Sequence, residues 1–77
     1  MSIVAVVGLG YVGLPLAIEF GRVFETIGYD LSPGKIDHFR RYEDPTGEVS
    51  RDQFAAAKLL TVTDDPGLLG RADFLIV

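Results

Sequence analysis

The apolar residues of this 77-residue chain fall into short continuous runs, separated by stretches in which they recur every three or four positions. Residues 3–7, Ile-Val-Ala-Val-Val, are apolar throughout rather than alternating, the pattern of a strand buried on both faces. Over residues 12–22, Leu14, Ala17, Ile18 and Gly21 return at helical spacing and predict a helix with one face on a sheet. Residues 24–29 read as a second strand. Gly28 inside it suggests either close approach of another backbone or a weak point. Ser32 and Pro33 are an N-cap and a first helical residue, starting a helix that runs to about residue 41 with Ile36 and Phe39 inward. A polar loop over 43–49 leads to Ser50, the N-cap of a third helix over 51–58. A third strand is expected over 59–62. A last helix is expected to be capped by Thr63 or Asp64, to hold Pro66 in its first turn and to end at Gly70. Residues 73–77 form the fourth strand. The order β-α-β-α-α-β-α-β is that of a doubly wound α/β fold. Right-handed crossovers make its sheet parallel, in the spatial order 3-2-1-4, with a ligand crevice where the first and fourth strands diverge.

The junction of the first strand and first helix carries the chemistry. Gly8-Leu9-Gly10-Tyr11-Val12-Gly13 follows the apolar run directly and has the glycine spacing of the dinucleotide-binding, or Rossmann, fingerprint. Gly8 makes the tight turn, Gly10 removes a Cβ so that a pyrophosphate can approach, and Gly13 lets the helix pack closely on the strand. Tyr11 and Val12 are expected to act through their backbone N–H groups at the positive end of the helix, with their side chains shielding the phosphates. Pro15 falls in the first turn, where its missing N–H costs nothing. Asp30 ends the second strand 22 positions after Gly8, close to the ~20 expected of an acid that accepts the adenosine ribose hydroxyls. Its charge disfavours a 2′-phosphate, so the expected cofactor is NAD rather than NADP. The competing reading of Asp30 is a turn residue before Ser32-Pro33.

Composition removes several alternatives. Eleven acids against seven bases give a net charge of −4, which is not a nucleic-acid footprint. The adjacent pair Arg40-Arg41 reads as a solvated face. There is no Cys, hence no disulfide and no thiolate nucleophile. No apolar stretch is long enough for a membrane, and the N-terminus lacks a signal peptide's basic region, so a cytoplasmic protein is expected. His38 lacks partners at metal or nucleophile spacing and reads as solvent-facing, and Asp64-Asp65 reads as a helix cap. The chain stops at Val77 within an apolar strand. Residues 1–77 are therefore expected to be the N-terminal half of a dinucleotide-binding domain, without the rest of that domain or a substrate domain.

The run Ala5-Val6-Val7-Gly8-Leu9-Gly10-Tyr11-Val12-Gly13-Leu14-Pro15-Leu16-Ala17 resembles the opening of the UDP-glucose/GDP-mannose dehydrogenases. Asp30 and Lys35-Ile36 resemble that family's second-strand acid and the basic residue after it. Asp44-Pro45-Thr46-Gly47-Glu48-Val49 resembles the corresponding segment of members that oxidise UDP-N-acetylhexosamines, such as the Vi-antigen and O-antigen dehydrogenases. The resemblance implies a two-step, NAD-dependent oxidation of a UDP-sugar's C6 alcohol to a uronic acid for surface polysaccharide, by a homo-oligomeric parent. The family's Cys nucleophile, with its Lys, Asn and Asp partners, lies beyond the matched portion, so no catalytic residue transfers. Lys35 reaches the adenosine ribose, as its counterpart does, or is a solvated helix residue. Thr46 and Glu48 approach the nicotinamide half or the substrate domain, or are ordinary loop residues. Two rival functions fit the same glycines. One is a β-hydroxyacid dehydrogenase, which usually has Met where Val12 stands. The other is a non-catalytic nucleotide-sensing module.

Overall fold

The computed structural model describes residues 2–10 and 12–77. Four strands, β1 (Ile3–Val7), β2 (Glu25–Tyr29), β3 (Leu60–Thr63) and β4 (Phe74–Ile76), form one parallel sheet in the order β3-β2-β1-β4. This is the expected doubly wound order. β1 lies between β2 and β4, with Val6 opposite both Gly28 and Ile76. Its residues Val4, Ala5 and Val6 are buried, as a continuous apolar run between two layers requires.

Three α-helices and a 3-10 turn connect the strands. α1 (Gly13–Gly21) buries Leu14, Ala17, Ile18 and Gly21, the stripe its periodicity predicts. α2 (Pro33–Arg40) starts at Ser32, whose hydroxyl accepts the Lys35 N–H at 3.3 Å. α3 (Arg51–Ala56) begins with a full capping box: Ser50 accepts from the Gln53 N–H, and the Gln53 side chain accepts the Ser50 N–H at 2.8 Å. The core lies between these helices and the sheet and contains Val6, Leu9, Leu14, Ile18, Ile36, Phe39, Val49 and Phe54.

Several boundaries differ from expectation. α3 ends at Ala56, not residue 58, because Leu59 is drawn away to donate its N–H to the Gly21 carbonyl at 2.9 Å. β3 consequently starts one residue late. β2 starts at Glu25, since the Phe24 N–H still bonds to the Phe20 carbonyl at 2.7 Å. The last helix is a 3-10 turn over Pro66–Arg71, and its cap is Asp65, which accepts the Gly67 N–H, rather than Thr63 or Asp64. Thr63 is buried in β3, and Gly70 lies inside the turn instead of ending it. β4 is three residues long; Asp73, just before it, lies beside β1, donating its N–H to the Ile3 carbonyl and accepting the Ile3 N–H on its carboxylate, both at 2.8 Å. The close neighbour at Gly28 is the Leu9 side chain, 3.3 Å from where a Cβ would stand, and not a backbone.

Candidate functional site

The glycine loop leaves the C-terminal end of β1 in a conformation that its residue types dictate. Gly8 adopts φ +92°, the left-handed region open to glycine, and donates its N–H to the Tyr29 carbonyl at 2.8 Å. A Cβ on Gly13 would overlap the Gly8 carbonyl oxygen, so the start of α1 sits directly on the turn. Gly10 differs: a Cβ there would have no neighbour within 4 Å. Its face is open, as approach of a pyrophosphate requires. Val12 precedes α1 without any side-chain cap, and the first turn holds no acid. Of the first-turn N–H groups, that of Leu14 bonds to the Gly10 carbonyl at 2.9 Å and Pro15 has none, so at the positive end of the dipole the Gly13 N–H is, among the described residues, the one left for a ligand or solvent. Tyr11 lies outside the described residues, and its expected role stays with its sequence position.

Leu9, a mere spacer in the motif, is fully buried and anchors the loop from beneath. Sequence reasoning passed over it, although an apolar residue flanked by two glycines was the available signal.

Asp30 follows β2 and faces this loop. Its Oδ2 accepts the Leu9 N–H and its Oδ1 accepts the Ser32 N–H, both at 2.9 Å. The Lys35 ammonium, presented by the first turn of α2, stands 3.7 Å from Oδ2. Burial pushes the Asp30 carboxyl up, but the two N–H donors and the Lys35 charge outweigh it and hold the group below its ordinary value of 3.8. Asp30 is thus a charged clamp between the glycine loop and α2, more than a turn residue. Lys35 is half-exposed and still engaged with that clamp.

A cleft of about 450 Å³ opens between these elements, lined by Leu9, Gly10, Lys35, Phe39, Pro45 and Thr46 among others. The 44–49 loop forms one wall. Val49 is buried in the core, and the Asp44 carboxylate accepts from the Thr46 N–H, the Thr46 hydroxyl and the Val49 N–H. Thr46 therefore meets Gly10 and Lys35 across the cleft, while Glu48 is exposed and not among the lining residues. A second hollow of about 350 Å³, lined by Val7, Gly8, Val12, Leu16 and Ile76, lies where β1 and β4 diverge. His38 is half-exposed, with Nδ1 3.3 Å from Glu43. Among the described residues, no cluster of three or more His, Asp or Glu could hold a metal ion. Also among them, no helix is long and apolar enough to cross a membrane.

No family model matches the chain. It is 43% identical to UDP-N-acetyl-D-glucosamine 6-dehydrogenase of Pseudomonas aeruginosa, over 96% of this chain and 18% of that protein. It is 38% identical to Protein CapL of Staphylococcus aureus, over 96% of this chain and 17% of the other. A ternary-complex crystal structure of GDP-mannose dehydrogenase from Pseudomonas aeruginosa superposes on all of the chain with TM-score 0.78 at 30% identity, covering 19% of that protein. The chain thus spans less than a fifth of the length of these relatives. Glycine turn, strand-end acid, sheet order and sequence lead to one conclusion: the chain is homologous to nucleotide-sugar dehydrogenases of the UDP-glucose/GDP-mannose dehydrogenase family.

Proposed function

We propose that this chain holds the adenosine-diphosphate half of NAD, as the N-terminal half of the dinucleotide-binding domain of a longer nucleotide-sugar dehydrogenase, the parent protein. One observation carries the reading. The open backbone at Gly10, the uncapped start of α1 and the Asp30 carboxylate converge at the C-terminal ends of two adjacent parallel strands. A pyrophosphate needs backbone N–H donors and no side chain in its way, which Gly10 and the helix start supply. A ribose offers two hydroxyl donors. Each Asp30 oxygen accepts one backbone N–H; Oδ1 keeps a further lone pair for one ribose hydroxyl, and the second hydroxyl shares Oδ2 with the Lys35 ammonium 3.7 Å away, so neither displaces Leu9 or Ser32. A 2′-phosphate at the same place would meet a like charge, which favours NAD. Lys35 tempers that preference, because its ammonium partly neutralises Asp30.

NAD bound here would supply the hydride acceptor. In this reading the parent oxidises the C6 alcohol of a UDP-N-acetylhexosamine to a uronic acid for surface polysaccharide. The identity with UDP-N-acetyl-D-glucosamine 6-dehydrogenase supports that substrate class. Each sugar consumes two NAD and one water. The parent is a cytoplasmic homo-oligomer in the same reading, as the family resemblance implies.

The test is NADH production by the parent from UDP-N-acetylglucosamine or UDP-N-acetylgalactosamine, with kcat/KM compared for NAD and NADP. Asp30→Ala should bring the two values together. Equal values in the unsubstituted parent would remove Asp30 from this role. The 77-residue chain, which has no Cys, should give no turnover by itself. Robust turnover by it would overturn the assignment.

A further inference from the structure

The Asp44 carboxylate is committed entirely to its own loop. Oδ1 takes the Thr46 N–H at 3.0 Å and the Thr46 hydroxyl at 2.7 Å, and Oδ2 takes the Val49 N–H at 3.0 Å. The loop's ends are fixed independently of it. Val49 is in the core, and Tyr42, at φ +61°, stacks on Phe54 with ring centroids 5.8 Å apart. In the exposed stretch between those anchors the Glu43 N–H bonds to the His38 carbonyl at 2.9 Å and the Gly47 N–H to the Asp44 carbonyl at 3.0 Å, while Thr46 is held by the Asp44 carboxylate. That stretch carries Pro45 and Thr46, the wall of the cleft opposite Gly10 and Lys35.

We propose that Asp44 is a positioning residue for the cofactor: by holding Thr46 and Val49 it builds the cleft wall before the dinucleotide arrives. The inference rests on the NAD-binding reading above. A wall ordered in advance need not be ordered at the moment of binding, so its ordering cost is removed from the affinity. Two acceptor oxygens are required. An amide offers one, and its NH2 would face an N–H or O–H donor.

Asp44→Asn in the parent protein should weaken NAD binding, measured by calorimetry, about tenfold, the measure of one hydrogen bond to a charged acceptor. Thr46→Val removes one of the three donors and should fall between the wild type and Asp44→Asn. In the cofactor-free protein, the Thr46 and Val49 amides should exchange with solvent about tenfold faster in Asp44→Asn, while core amides such as Ile18 are unchanged. Turnover lost at low NAD should be recovered at saturating NAD, which a loss of folded enzyme would not allow. Wild-type affinity and wild-type exchange in Asp44→Asn would overturn the proposal and leave the NAD reading intact. Failure of the unsubstituted parent to bind NAD would overturn both.

Discussion

Gly10 and Gly13 are three residues apart in one loop, yet replacing each with alanine should damage different properties. At Gly13 the new Cβ would overlap the Gly8 carbonyl oxygen, stand 3.0 Å from the Gly8 carbonyl carbon and reach Val6 Cγ1 at 3.7 Å. The obstacle is backbone, which cannot rotate aside as a side chain can. α1 has to lift from β1, disturbing the buried contacts of Leu14, Ala17 and Ile18. Overpacking of this kind costs about 1–3 kcal/mol, and a backbone obstacle puts Gly13→Ala at roughly 2–3. At about 2–4 °C per kcal/mol for a domain of 150–250 residues, the parent's melting temperature should fall by about 4–12 °C. At Gly10 the Cβ would meet nothing within 4 Å, and the residue does not occupy the left-handed region. Gly10→Ala should therefore leave the melting temperature unchanged or raise it slightly, by restricting the unfolded chain. In the proposed NAD-binding reading its methyl projects into the pyrophosphate path, and the same overpacking cost, read as affinity, is about tenfold to a hundredfold in NAD Kd. Scanning calorimetry and NAD titration of both variants give four numbers. A melting temperature within a degree or so of wild type for Gly13→Ala would refute the locked turn. Unchanged NAD affinity for Gly10→Ala would refute the pyrophosphate path.

The folded-state pKa of Asp30 is depressed, so its stabilising contribution is present above the unfolded value and is lost as pH falls through the folded one. The stability advantage of wild type over Asp30→Asn should be constant from neutrality to about pH 5 and vanish only below the ordinary carboxylate range; its disappearance near pH 7 in melting curves would contradict the clamp geometry. The outer side of β4 pairs with no strand among the described residues, and Phe74 and Leu75 are 60% and 54% exposed. The 77-residue chain should associate through that edge, and Phe74→Lys should suppress the association in size-exclusion chromatography. A monodisperse monomer with a cooperative melt in the unsubstituted chain would show the edge to be harmless.

The local devices were legible because local chemistry settles them. Continuous apolar residues place β1 in the middle of a sheet. Ser32 followed by Pro33, and Ser50 after a polar loop, announce two helix starts. The glycine spacing and an acid at the next strand end point to the turn and the strand-end clamp that the structure shows, on which the proposed dinucleotide site rests. Parallel strands joined by helices have one favoured hand, and the order 3-2-1-4 is the one that the doubly wound fold of the glycine fingerprint carries.

Events that depend on partners distant in sequence were decided only on folding. The length of α3 depends on the Gly21 carbonyl, which claims the Leu59 N–H. The last cap moved to Asp65 because β3 extends through Thr63 and buries it. Leu9 looked like a spacer, and its anchoring role exists only because Gly28 leaves room for it on the neighbouring strand. Asp44 could be matched to a motif, but its three donors come from a loop that closes only when Val49 enters the core. Sequence carries what each residue can do alone or with its near neighbours. Which donors, acceptors and voids it meets across the fold is set by close packing, which exists only once the whole chain has assembled.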